Sequence, residues 1–81
     1  MNIQVQFFSR LRELTGLSEM ELEIPSATNV TGLLEILYSR TPTLRSWDQS
    51  ILIGAGVEFV NRDYILQPGD QISIMPPLQG G

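Results

Sequence analysis

Hydrophobic and polar residues alternate in three segments of the chain, at positions 3–7, 20–24 and 71–75. A period of two is typical of a β-strand that buries one face and exposes the other. The outward positions of the second segment are Glu19, Glu21 and Glu23, a solvated face that discourages pairing with another sheet edge. The residues predicted to face the core are Ile3, Val5, Phe7, Met20, Leu22, Ile24, Ile72 and Ile74.

One longer segment has the period of a helix. Its apolar stripe consists of Val30, Leu33, Leu34, Leu37 and Tyr38. These positions follow the i, i+3, i+4, i+7, i+8 spacing, so we expect the helix to lay one face across a sheet. Asn29 is suited to cap its N-terminus, and Pro42 is expected to end it.

Shorter elements are predicted from turn residues. Ser9 is expected to cap a short helical turn that ends at Gly16. Residues 43–50 are polar apart from Leu44 and Trp47, and we interpret them as a loop with Trp47 packed at the edge of the core. The segment "ILIGAGVEFV" predicts two short strands joined at residues 54–56, and "QPGD" predicts a turn before the last strand.

This order of elements defines a fold class. Two strands, a helix and three further strands are typical of an α+β protein with one main helix across one face of a mixed sheet of four to five strands. The first and last strands have equally apolar inner faces, so we expect them to be parallel neighbours, with the helix in the crossover. That arrangement is the β-grasp, or ubiquitin-like, fold. We predict a β-grasp domain at residues 1–75 and an extended tail at residues 76–81.

Composition excludes several classes of function. The 81 residues include no Cys and no His, and the five basic residues are all Arg, so no Lys is present either. The sequence therefore offers no thiol nucleophile, no imidazole base and no side-chain amine, and we predict no metal site. The net charge of −4 and the scattered arginines argue against nucleic-acid binding. No apolar run is long enough to span a membrane, and no signal peptide is recognisable, so we predict a cytoplasmic protein.

The last six residues, "PPLQGG", are the unusual part of the sequence. Pro76 and Pro77 cannot donate to a β-ladder and favour an extended path. Leu78 to Gly81 then span up to about 13 Å. Gly80 and Gly81 lack a Cβ, so this end fits a slot that excludes other residues. We predict that it offers an α-carboxylate, as a reacting group, to the active site of another protein.

A docking surface is expected beside this tail. Alternation places Phe8 and Met75 on the sheet face away from the helix, near the root of the tail. Together with Phe59 and Leu78 they predict an apolar patch for a partner; Arg10 or Arg12 is a candidate for its rim. The alternative is that Phe8 turns inward under the following helical turn. The residues predicted to bind partners are Phe8, Phe59, Met75, Pro76, Pro77, Leu78 and Gln79.

Three blocks carry a resemblance to a known family: "VQFFSRLRELTG", "VEFVNRDYILQPGD" and "ISIMPPLQGG". In residues and spacing, the chain resembles the small, sulfur-carrying subunits of molybdopterin synthase. The most specific piece is the hydrophobic-Pro-Pro-x-x-Gly-Gly ending. The family often carries Asn where this chain has Gly56, and both residues tolerate a positive φ.

The resemblance implies a function. An ATP-dependent, ubiquitin-activating-type adenylyltransferase would adenylate Gly81, with AMP as a transient group and no permanently bound cofactor. A persulfide-bearing sulfur donor enzyme would displace the AMP and leave a thiocarboxylate. The tail, with Gly80 free of a side chain, would then enter the synthase large subunit, which carries the catalytic residues, and would give its sulfur to cyclic pyranopterin monophosphate. The alternatives are a thiamine-pathway sulfur carrier, a ubiquitin-like protein modifier and a plain interaction module.

Overall fold

The computed structural model describes residues 1–77, which form five strands, two α-helices and a 3₁₀ helix. The strands are β1 (Asn2–Phe7), β2 (Glu19–Glu23), β3 (Leu52–Ala55), β4 (Glu58–Val60) and β5 (Gln71–Met75). The helices are α1 (Arg10–Thr15), α2 (Val30–Arg40) and the 3₁₀ helix (Pro42–Trp47). The predicted order of strands and main helix is confirmed.

The sheet has the order β2-β1-β5-β3-β4. Strand β5 pairs parallel with β1 and antiparallel with β3, and the other two pairings are antiparallel. The predicted parallel pair of first and last strands therefore lies at the centre of the sheet. Along β1 and β5, buried residues that face the core alternate with less buried residues on the opposite face of the sheet.

The core lies between the inner face of the sheet and α2. Of the residues predicted to be buried, Met20 alone is only partly covered. The others include Leu34 and Leu37 of α2, which are 1% and 2% exposed. The Asn29 side chain caps α2, accepting a 2.9 Å hydrogen bond from the amide of Gly32. The core pattern and this cap could therefore be predicted from spacing alone.

The start of α1 differs from the prediction. Ser9 precedes the helix, but its side chain makes no capping hydrogen bond, and its backbone has φ 55° and ψ −129°. The chain reverses there because Phe8 is bonded to β5 while Leu11, two residues after Ser9, is fully buried. Gly16 does end the helix, with φ 75°.

Two other local predictions are wrong. Residues 43–50 are not an irregular loop throughout, since the 3₁₀ helix places Leu44 in the core at 1% exposure. The hairpin turn lies at Gly56 and Val57, because β3 continues through Gly54 to Ala55. Gly56 has φ 62° and supplies the turn conformation, whereas Gly54 pairs within the strand.

A polar network fastens the 3₁₀ helix region to α2 and to the loop after β4. The buried Tyr38 donates a 2.5 Å hydrogen bond from its hydroxyl to Oδ1 of Asp48. Arg62 contacts the same Oδ1 at 3.1 Å and also donates to the Asp48 carbonyl. Hydrogen bonds from Tyr38 and then from Arg62 lower the pKa of Asp48. Burial, followed by the bond to Asp48, raises the pKa of Tyr38.

No helix within residues 1–77 is long and apolar enough to cross a membrane.

Candidate functional site

The sheet face opposite α2, called here the outer face, is ordered in rows across all five strands. Strand register places Glu19, Gln6, Ser73, Gly54 and Phe59 in one row, from β2 at one edge to β4 at the other. Side chains directly opposite one another point to the same side of a sheet. The row is therefore acidic and polar on the β2 side, small at its centre and aromatic on the β4 side.

The next row toward the tail is apolar. Met75 of β5 pairs with Leu52 of β3, and Phe8 follows directly after β1. The amide of Phe8 donates a 3.1 Å hydrogen bond to the Ile74 carbonyl, which holds Phe8 against the end of β5. Phe8 and Met75 therefore meet where the chain leaves the sheet for Pro76.

An open groove of about 760 Å³ surrounds this point. It is lined by Phe8, Ser9, Arg10, Glu13, Trp47, Met75, Pro76 and Pro77. Most of the large side chains that line the groove are apolar, and α1 contributes the positive Arg10 and the negative Glu13 to its rim. Phe8 is 37% exposed, so the alternative in which it turns inward is wrong.

A smaller hollow of about 190 Å³ adjoins the groove on the β4 side. Its lining includes Gly54 and Ser73 from the small centre of the first row, with Phe59 on one side and Met75 on the other. Phe59 is 71% exposed, an unusual position for a large aromatic side chain. Met75 lines both spaces, so the hollow and the groove are adjacent.

The structure thus brings five predicted partner-binding residues onto one surface, the tail-root surface: Phe8, Phe59, Met75, Pro76 and Pro77. Arg10 lies at the rim of the groove, while Arg12 is not among its lining residues. The predicted roles of Leu78, Gln79, Gly80 and Gly81 fall outside the described residues.

Sequence reasoning missed the contributions of Trp47 and Gly54. Trp47 packs partly against the core, as predicted, and it also lines the groove. Nothing in its immediate neighbours indicates this, because its position depends on the 3₁₀ helix. Gly54 was assigned to the turn, although its place opposite Ser73 follows once the register with β5 is known.

The tail-root surface has the character of a docking surface. Within the described part of the chain, no three His, Cys, Asp or Glu side chains lie close enough to hold a metal ion. Large apolar side chains surround the groove, and exposed apolar surface of this kind marks interaction sites.

Comparison with known proteins assigns the family. The model of the ThiS family matches residues 5–81, nearly the whole chain. The chain therefore belongs to the ThiS family. The molybdopterin synthase sulfur carrier subunit of Arabidopsis thaliana is 31% identical over 81 residues, covering 100% of this chain and 84% of the relative. This similarity confirms the predicted resemblance to the molybdopterin synthase sulfur carrier subunits.

Solved structures confirm the ubiquitin-like β-grasp fold. A protein described as molybdopterin converting factor subunit 1, from Pyrococcus furiosus, has a TM-score of 0.87 and 27% identity, over 96% of this chain and 99% of that one. One chain in a complex of subunits 1 and 2 of the molybdopterin-converting factor from Helicobacter pylori has a TM-score of 0.73 and 26% identity, over 100% of this chain and 100% of that one. Small archaeal modifier protein 1 of Methanosarcina acetivorans has a TM-score of 0.81 and 26% identity, over 99% of this chain and 96% of that one.

Proposed function

We propose that this chain carries sulfur as a C-terminal thiocarboxylate on Gly81 and delivers it to the large subunit of a molybdopterin synthase. The observation that carries the proposal is the position of the tail root. The central strand β5 ends at Met75, and Pro76 and Pro77 continue from it along an apolar groove. A partner that docks there receives the following residues in a fixed direction.

The chemistry begins with activation. A carboxylate is a poor electrophile, so ATP would convert the Gly81 carboxylate into an acyl-adenylate and release pyrophosphate. The terminal sulfur of a persulfide would then attack the acyl carbon and expel AMP. A thiol would cleave the remaining sulfur–sulfur bond and leave the thiocarboxylate. A ubiquitin-activating-type adenylyltransferase and a sulfur donor enzyme would supply these steps, because the chain has no Cys, His or Lys of its own.

The large subunit is the partner that receives the sulfur. The Helicobacter pylori complex of subunits 1 and 2, one chain of which is structurally similar to this one, supports a partner of this kind. From Met75, six further residues reach Gly81, so an extended tail spans at most about 20 Å. An active site that accepts Gly81 must therefore lie close to the tail-root surface. The sulfur acceptor would be cyclic pyranopterin monophosphate, which becomes the dithiolene of molybdopterin.

Both partners would use the same surface. The activating enzyme also has to reach Gly81, and the tail-root surface is the exposed apolar area at the start of the tail. Binding of the activating enzyme and of the large subunit is then mutually exclusive, and the carrier moves between them. The cytoplasm, where ATP is available, is the proposed compartment.

Conjugation to other proteins is the second candidate function. The similarity to small archaeal modifier protein 1 favours it, because the modifier shares the fold over almost the whole length. A modifier would form an amide between Gly81 and a lysine of its target, whereas a sulfur carrier is released unchanged after transfer. Recovery of this chain in isopeptide-linked adducts would support the modifier function.

Reconstitution tests the proposed function. The thiocarboxylated chain, mixed with the large subunit and cyclic pyranopterin monophosphate, should yield molybdopterin. A chain lacking Gly81 should yield none and should keep its circular dichroism spectrum and melting temperature, because the core lies within residues 3–74. Product formation by the shortened chain at the normal rate would contradict the proposal.

A further inference from the structure

The hollow between Phe59 and Met75 exists because Gly54 has no side chain. Gly54 lies inside β3, opposite Ser73 of β5 and Phe59 of β4, and its φ is not positive. Neither the turn conformation nor the strand pairing therefore requires glycine at this position. Glycine inside a strand weakens it relative to alanine. Glycine in such a place marks a close approach of another group.

The group that approaches within the chain is the end of Met75. A Cβ placed on Gly54 would lie 3.4 Å from the Met75 methyl carbon and 3.6 Å from Cβ of Ser73. These are ordinary contact distances, so the fold has room for a methyl group there. A methyl would nevertheless take up space on the floor of the hollow, in contact with the Met75 methyl group.

We propose that Gly54 is a specificity-determining residue, and that the hollow above it receives one apolar side chain from the synthase large subunit. This inference rests on the proposed function, which places the large subunit over the tail root. The hollow adjoins the groove that leads to Pro76 and Pro77, so a protein covering the groove also reaches the hollow.

The chemistry of the hollow defines what fits. Its volume of about 190 Å³ is large enough to receive one apolar side chain. Phe59 offers an aromatic wall, and Met75 has a flexible thioether that adjusts to the group that enters. Buried anchors of this kind dominate the affinity of protein interfaces. Ser73 and Glu58 also line the hollow, but its two largest walls, Phe59 and Met75, are apolar, so a polar side chain that packed against them would lose hydration.

The test compares binding of three purified chains to the large subunit by isothermal titration calorimetry. Gly54→Ala should bind about tenfold more weakly than the native chain, because the added methyl takes space that the entering side chain would fill. Its melting temperature should be equal or higher. Gln4→Ala is the matched control: Gln4 lies on the outer face, opposite Glu21 and away from the hollow, and its loss should leave the affinity unchanged.

Ser73→Thr provides an independent variant, since it adds a methyl to the same floor from β5. It should also weaken binding, which keeps the proposal testable if Gly54→Ala folds poorly. Native affinity in the folded Gly54 and Ser73 variants, beside a native chain that binds well, would overturn the role of the hollow while leaving the proposed function intact. A native chain that does not bind the large subunit would overturn both.

A second copy of the chain is the alternative occupant, and analytical ultracentrifugation distinguishes it. The native chain alone should sediment as a monomer. Self-association that Gly54→Ala abolishes, together with unchanged affinity for the large subunit, would assign the hollow to a homodimer and overturn the proposal.

Discussion

The amide of Phe8 donates a 3.1 Å hydrogen bond to the carbonyl of Ile74, and this bond extends the parallel pairing of β1 and β5 by one step. Two residues separated by most of the chain are thereby fixed side by side. As a result, Phe8 and Met75 form one apolar surface at the point where the tail begins.

A charge on this surface should prevent docking. Phe8→Asp or Met75→Asp places a carboxylate where a partner would otherwise exclude water, and its desolvation opposes binding. Affinity for both the activating enzyme and the large subunit should fall by more than about tenfold, equivalent to about 1.4 kcal/mol. Surface plasmon resonance measures this, and circular dichroism checks the fold. Unchanged affinity for both partners in folded variants would move the interface elsewhere.

Truncation in the core should destabilise the domain. Leu34 is 1% exposed in α2, so Leu34→Ala leaves a cavity and should lower the free energy of unfolding by about 2–5 kcal/mol. That is a large fraction of the stability of a small domain. Urea denaturation measures the free energy of unfolding of the native chain and of each variant. Ser39→Ala, at an exposed site of the same helix, is the control and should change it by less than about 0.5 kcal/mol. Equal effects of the two variants would refute the packing of α2.

The two hairpin glycines should respond in opposite ways to alanine. Gly56 has φ 62°, so Gly56→Ala should destabilise the domain by about 1 kcal/mol. Gly54→Ala should be neutral or stabilising, because Gly54 occupies an ordinary strand position. Melting temperatures of the two variants, measured side by side, test the position of the turn. Greater loss of stability in Gly54→Ala would place the turn at Gly54 instead.

Stability should depend on pH through Asp48. The folded state lowers the pKa of this carboxyl group, so the unfolded chain takes up a proton first as the pH falls. The stabilisation from Tyr38 and Arg62 is therefore complete at neutral pH and is lost as the pH falls below about 4, toward the folded-state pKa. Urea denaturation at several pH values measures this loss.

Asp48→Asn and Tyr38→Phe serve as the reference variants for that measurement. Each should be less stable than the native chain at pH 7, and the difference should shrink below about pH 4. A difference that stays constant down to pH 2 would show that the ionised Asp48 does not contribute.

The sequence was sufficient for the elements whose pattern is local. Alternation predicted β1, β2 and β5, and the spacing of Leu33, Leu34 and Leu37 predicted α2. The equally apolar inner faces of β1 and β5 predicted their parallel pairing, which in turn placed Phe8 beside Met75. Most of the candidate site followed from that single topological step.

The features that failed depend on contacts between distant segments. Which of Gly54 and Gly56 makes the turn is decided by the register of β3 with β5, and the local sequence suits either residue. Serine is a residue type that often caps helices, so Ser9 was expected to do so. The hydrogen bond between Phe8 and Ile74 instead holds the Ser9 backbone in a conformation that a helix cap does not adopt. Leu44 is the one buried residue of the 3₁₀ helix, so the sequence there contains no periodic pattern of apolar residues from which a helix could be predicted.

The central claim is that Gly81 carries the sulfur, and the mass of the intact chain tests it most directly. Purified from cells that make the molybdenum cofactor, the chain should appear as two species that differ by about 16 Da, the difference between sulfur and oxygen in a carboxyl group. Fragmentation should place the extra mass on Gly81, and the heavier species should disappear when Gly81 is deleted or the activating enzyme is absent. A single species with the carboxylate mass in cofactor-producing cells, or extra mass at another residue, would contradict the account.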